Sequence, residues 1–122
     1  MSENIIDEFK KFQSENKEFK RFVLWNGNEI LANYEASGID PDSCKAIVDA
    51  WDNHKGSVTV GEKRYIVLKS DPLQFAATKP GPGRLQIVGT QIKGIYGLGF
   101  IENGPNMNAS SVYFQKWFYD KV

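Results

Sequence analysis

Arg21-Phe22-Val23-Leu24-Trp25-Asn26-Gly27-Asn28-Glu29-Ile30-Leu31-Ala32-Asn33-Tyr34 is the stretch that decides the fold. Asn-Gly readily adopts the positive φ angles of a tight turn, and apolar runs flank it. Arg21 to Trp25 and Glu29 to Tyr34 therefore read as a β-hairpin. Upstream, Ile5, Phe9 and Phe12 recur at i, i+4 and i+7, with Ile6 widening the stripe. This predicts an amphipathic helix over 4–16, with Ser2 or Asn4 available to cap its free N–H groups. Downstream, Asp40-Pro41 opens a second helix, Asp as cap acceptor and Pro at the first helical position. Cys44, Ile47, Val48 and Trp51 give it one buried stripe, and it ends by Gly56.

From Ser57 the apolar period becomes two. Ser57–Val60, Arg64–Lys69 and a short piece around Phe75 read as strands, with Gly61-Glu62-Lys63 as a turn. Lys79-Pro80-Gly81-Pro82-Gly83 breaks regular structure, because its prolines remove donors and its glycines free the backbone. Arg84–Val88 and Ile92–Phe100 follow as a predicted hairpin over Gly89-Thr90-Gln91. Asn106 or Asn108 then caps a final helix to about Lys121, on which Tyr113/Trp117 and Phe114/Phe118 are i, i+4 pairs. No repeat or linker divides 1–122, so the expectation is one domain of the α+β class, an antiparallel sheet with helices on its faces.

Composition agrees. With 122 residues, and 8 Phe, 5 Tyr and 3 Trp to fill a core, the chain suits a single globular domain. One cysteine and one histidine exclude a disulfide framework, a thiolate zinc site and a histidine cluster, so no metal or cofactor is expected. The start is acidic and lacks the pattern of a signal peptide, which favours a cytoplasmic setting. A net charge of zero conceals an asymmetry. Residues 26–55 carry six acidic side chains against Lys45 and Lys55, whereas 61–94 carry six basic ones against Glu62 and Asp71. Such a dipole steers charged partners. Nucleic acid is a poor fit, since phosphate binding wants a net basic patch.

Little in the chain looks catalytic. Cys44 lies on an apolar helix face with no neighbouring base, and His54 sits just past a helix end among polar residues. Gly81-Pro82-Gly83 is no phosphate cradle, since Pro82 lacks an N–H. Gly94, Gly97 and Gly99 read as lying in a strand, where they suggest close backbone approach. Asn108-Ala109-Ser110 matches a glycosylation sequon that an intracellular chain would not use. No carboxylate pair or Ser/His/Asp set has catalytic spacing, so the expectation is a non-enzyme. The rings on the first and last helices either fill the core or leave a groove suited to proline-rich peptides.

Several strings together resemble profilin, the family of small actin-monomer-binding proteins. Phe22-Val23-Leu24-Trp25 with Glu29-Ile30-Leu31-Ala32 is similar to its first hairpin, and Ile47-Val48-Asp49-Ala50-Trp51-Asp52 to the end of its central helix. Val60 to Leu68 resembles its Gly turn and strand, Thr78 to Gly83 its basic loop, and Ile95-Tyr96-Gly97-Leu98-Gly99 a later strand. Asn108, Phe114, Trp117 and Phe118 keep the spacing of its last helix. The divergence suits an archaeal (Asgard-type) member as well as a eukaryotic one.

The resemblance implies a sheet of about six to seven strands, the terminal helices on one face and a further helix on the other. It also implies monomeric actin as partner, regulation of filament assembly, and a cytoskeletal location. Lys79 and Asn108 carry over most directly as actin-binding residues, with Lys69, Arg84, Gln86, Lys93 and Asn106 added by proximity. Proline-rich peptides would meet Ile6, Phe9, Trp117 and Phe118. The family's paired Trp and Tyr on the first helix are replaced by Ile5 or Ile6 and Phe9, and its hairpin Trp by Leu31. The ring N–H and O–H donors that would hold a proline ligand's carbonyls are thereby lost. Weak phosphoinositide binding would rest on the basic 61–94 segment. Two rivals share the element pattern: a PAS- or GAF-like ligand-sensing module, which needs an internal pocket, and a proline-rich-peptide module without actin affinity.

Overall fold

The computed structural model describes the chain except residues 1, 28, 37, 62, 80–84 and 103–106, together with the side chains of 2–4, 107 and 108. Helix α1 (Ser2–Glu15) leads into the hairpin β1 (Phe19–Trp25) and β2 (Ile30–Tyr34). Helix α2 (Pro41–Asp52) follows, then β3 (Ser57–Val60), β4 (Lys63–Ser70), β5 (Gln74–Lys79), β6 (Leu85–Ile92) and β7 (Ile95–Glu102). Helix α3 (Met107–Lys121) closes the order. The strands form one antiparallel sheet of seven in the order β2-β1-β7-β6-β5-β4-β3.

Alternation along the strands sorts side chains onto two cores. Val23, Trp25, Phe75, Ala77, Ile87, Leu98 and Phe100 pack with the buried stripe of α2, which is Cys44, Ile47, Ala50 and Trp51. Phe22, Leu24, Ala76, Val88 and Ile101 face the other way and pack with Ile5, Phe9 and Phe12 of α1 and Phe114 and Phe118 of α3. The terminal helices thus share one face and α2 has the other. Asp40 caps α2 as expected, its carboxylate accepting the Ser43 N–H at 2.8 Å. That hydrogen bond holds the Asp40 carboxyl below the usual carboxylate range.

Several local expectations need correction. The β6–β7 turn is not at Gly89-Thr90-Gln91, which continue β6, but at Lys93-Gly94, where φ is 53° and 79°. Positive φ at both central residues is what a tight hairpin needs, and Gly94 adopts it without strain. Gly94 is therefore a turn residue, while Gly97 and Gly99 do lie in a strand, β7. Thr78 and Lys79 belong to β5, so regular structure runs further than the prolines suggested. Asn108 lies inside α3, whose first residue is Met107, and so does not cap it; Ser2 and Asn4 likewise lie inside α1, which begins at Ser2, and do not take the cap position there. The alternative cap, Asn106, lies outside the described residues.

Candidate functional site

The α1/α3 face of the sheet is only partly covered. Rows across the strands show where cover stops. Ile66 pairs with Thr78, Thr78 with Gln86, and Gln86 with Ile101, so these four side chains share a face. The next row runs from Lys69 through Ala76, Val88 and Gly99 to Phe22. Its inner members lie beneath the terminal helices, whereas α3 packs mainly over β6 and, less, over the adjoining β5. On β4, Ile66 remains 43% exposed and Leu68, at a bulge between Val67 and Lys69, is 56% exposed. An apolar strip on an open sheet face beside a helix is thereby left in solvent.

Polar side chains tie the helix to this strip. The Lys69 ammonium donates to Gln74 Oε1, and Gln74 Nε2 donates to Gln115 Oε1 on α3. Lys69 also stands 3.9 Å from Asp71. Val112, one turn before Gln115 and on the same side of α3, is 46% exposed. The arrangement is two apolar patches, Ile66 on β4 and Val112 on α3, beside the two ends of a polar bridge, with Lys69 as its cation. It offers contact area and hydrogen bonds rather than a reacting atom, and among the described residues no group of metal ligands assembles.

Of the residues expected to bind actin, Lys69 and Gln86 lie on this face. Gln86 is nearly buried, and its Oε1 finds no partner among the described residues. Lys79 ends β5 opposite Leu85, which packs on the α2 side. It lies at the same end of the sheet as the start of α3, because β7 finishes at Glu102, itself opposite Leu85. Asn108 sits at that end too, in the first turn of α3. Lys93 does not join them. Its turn is at the other end of β6, roughly 20–25 Å along the strand. Arg84 and Asn106 lie outside the described residues.

The rings of the terminal helices are mostly core. Phe9 and Phe118 are fully buried, and Phe9 touches Phe12, Phe22, Tyr34 and Trp117. Ile6 and Trp117 are half-buried, and Trp117 Nε1 has no acceptor among the described residues. Ile66, Leu68 and Val112 went unnoticed in the sequence. A signal existed: Tyr65-Ile66-Val67-Leu68 is apolar on both strand faces, which implies cover on both, yet β4 is next to the sheet edge and has it on one.

No family model matches the sequence. Loki profilin-3 of Lokiarchaeum sp. (strain GC14_75) is 33% identical over 69 residues, which cover 57% of this chain and 56% of that protein. The chain thus spans about half the length of the curated relative it matches. In three dimensions it is similar to LokiProfilin2 as solved in complex with rabbit actin, with a TM-score of 0.80 at 12% identity over 98% of this chain and 96% of that one. LokiProfilin1 matches with a TM-score of 0.75 at 15% identity over the whole of both chains. Profilin IB of Acanthamoeba castellanii gives 0.70 at 12% over 86% of each. The fold is that of the profilins, and the sequence is a divergent one, similar to an archaeal member of that family.

Proposed function

We propose that this chain binds monomeric actin and regulates filament assembly by occupying part of the monomer's surface. The observation that carries the reading is the uncovered sheet face beside α3, where Ile66 and Val112 are exposed beside the two ends of the Lys69–Gln74–Gln115 bridge. Apolar area exposed beside fixed polar groups is the composition of a protein-binding surface. Two Loki profilins of the same fold have been solved with rabbit actin, which points to the partner. On this reading Lys69 lies on the surface, Lys79 and Asn108 stand at the adjoining end of the sheet, and the lysines steer encounter. Spontaneous polymerisation of actin, followed by the fluorescence of a labelled monomer, should slow as the protein is added. Ile66→Asp and Lys69→Glu should each relieve that inhibition, and an unchanged polymerisation curve with the parent protein would end the proposal.

A second reading, proline-rich peptide binding by α1 and α3, has one observation in its favour. Ile6 and Trp117 are only half-buried on the two terminal helices and offer a proline-rich segment apolar contact, although Trp117 Nε1 is itself enclosed and presents it no donor. The surface is small, since Phe9 and Phe118 are buried and Ile6 and Trp117 are what remains of the expected set. A polyproline titration that left tryptophan emission unmoved would dismiss it. Phosphoinositide binding has less support, because Lys69, Lys79 and Lys93 spread along β4 to β6 and not into one patch.

A further inference from the structure

The opposite face of the sheet holds a feature that the actin reading leaves unused. Where the β1–β2 turn approaches α2, a cleft of about 240 Å³ opens between Trp25, Ile30, Cys44, Val48 and Tyr96. Its walls are aromatic and aliphatic. Trp25 and Tyr96 stack at 5.6 Å with an interplanar angle of 11°, forming a rigid flank. The volume exceeds the roughly 150 Å³ that holds a benzene ring, and falls below the roughly 300 Å³ at which cofactor and drug-sized sites begin. One large apolar side chain matches that space.

The surroundings are acidic. Glu29 and Asp49 stand on the rim with Lys45, and Asp40, Asp42 and Asp52 are exposed on and beside α2. Lys55 is paired with Asp49, so that carboxylate is already offset, and Glu29, Asp40, Asp42 and Asp52 supply the acidic excess. The field reaches the cleft itself: Asp40 adds to the rise in the Cys44 pKa that burial causes, and Asp52 does the same for Tyr96. A neutral molecule would gain nothing from this charge and an acidic one would be repelled.

We propose that this cleft docks a basic peptide segment, one apolar side chain seated between Trp25, Val48 and Tyr96 while flanking lysines or arginines meet the carboxylates of α2 and the β1–β2 turn. An anchor in a pocket with a charged rim is a common division between affinity and steering. The site lies across the sheet from Ile66 and Val112, so both faces can be occupied together.

The test is a titration of the full chain, isotopically labelled for amide NMR, with a short synthetic peptide carrying one central phenylalanine between lysines. Saturable shifts are expected at Ile30, Cys44, Val48 and Tyr96, weakening as salt is raised. Val48→Arg should cost about tenfold in affinity by filling the cleft and repelling the flanks. Asp52→Lys, at an exposed position, should weaken binding while leaving the spectrum of the free protein folded. Lys45→Glu should strengthen it. Equal binding by a peptide with serine in place of phenylalanine would overturn the anchor. Equal binding by a peptide with glutamates in place of the lysines would overturn the charge assignment, as would toluene binding as tightly as the lysine peptide. Shifts confined to Ile66 and Val112 would overturn the site.

Discussion

At Gly97 the strand approaches α3 more closely than any side chain allows. A Cβ there would lie 2.2 Å from Phe118 Cε2, and one at Gly99 would lie 2.8 Å from Phe19 Cε1. Both rings are fully buried and have no room to retreat. Gly97→Ala should therefore lower stability by about 1–3 kcal/mol in urea unfolding, through overpacking. Gly27→Ala, where nothing lies within 4 Å, should stay within about 0.5 kcal/mol of the parent protein. Cys44 makes a second residue-scale prediction. Burial raises its thiol from an ordinary 9.0 to about 11, so at neutral pH it is protonated and a poor nucleophile. The unfolded chain releases that proton at lower pH than the folded one. Stability linked to the thiol is full below pH 9 and is lost as pH rises toward 11. The urea midpoint should fall across that window, and Cys44→Val should remove part of the fall. Tyr65 and Tyr96, also raised mainly by burial, and Lys121, raised by its hydrogen bonds to Asp120 and Glu8, act in the same direction.

Among the elements, α1 and α3 depend on one another through rings. Phe9 stacks on Phe22 at 4.8 Å and meets Trp117 edge-on at 5.7 Å, and Lys121 of α3 reaches Glu8 of α1 at 3.3 Å. Phe9→Ala should cost about 3–5 kcal/mol by circular dichroism in denaturant, since the ring is wholly enclosed. A loss below about 1 kcal/mol would mean that α1 is not needed to close that core. Such elements were legible because their patterns are local: the hairpin about Asn26-Gly27, though neither residue takes the expected positive φ, the Asp40 cap and the α2 stripe each need only a few neighbours to be read. The β6–β7 turn was misplaced for the opposite reason. Gly89 looks like a turn residue, but it lies under Trp51 and Leu98, each 3.3 Å from where its Cβ would be, and that crowding comes from α2 and β7. Lys93-Gly94 carries no strong local mark beyond its single glycine. The open face was hidden likewise, because exposure of Ile66 depends on how far α3 extends over the sheet, which no spacing within β4 reveals.

For the molecule as a whole, one sheet separates two surfaces of different character. On one side the terminal helices leave an apolar strip with Lys69 beside it; on the other, α2 presents carboxylates around a small cleft. Charge opposition between chain segments was readable in the sequence, but their assignment to surfaces required the fold. If lysines at the strip steer association, raising salt should slow binding to actin more than it speeds dissociation. Lys69→Glu should mimic high salt, lowering the on-rate several-fold with a smaller effect on the off-rate, as stopped-flow kinetics would resolve. The most direct test of the central claim is sedimentation velocity of the protein mixed with monomeric actin, using actin from its own organism alongside a standard preparation. One new boundary with the mass of a 1:1 complex is expected, and it should be lost with Ile66→Asp. Two boundaries sedimenting independently with both actins would contradict it.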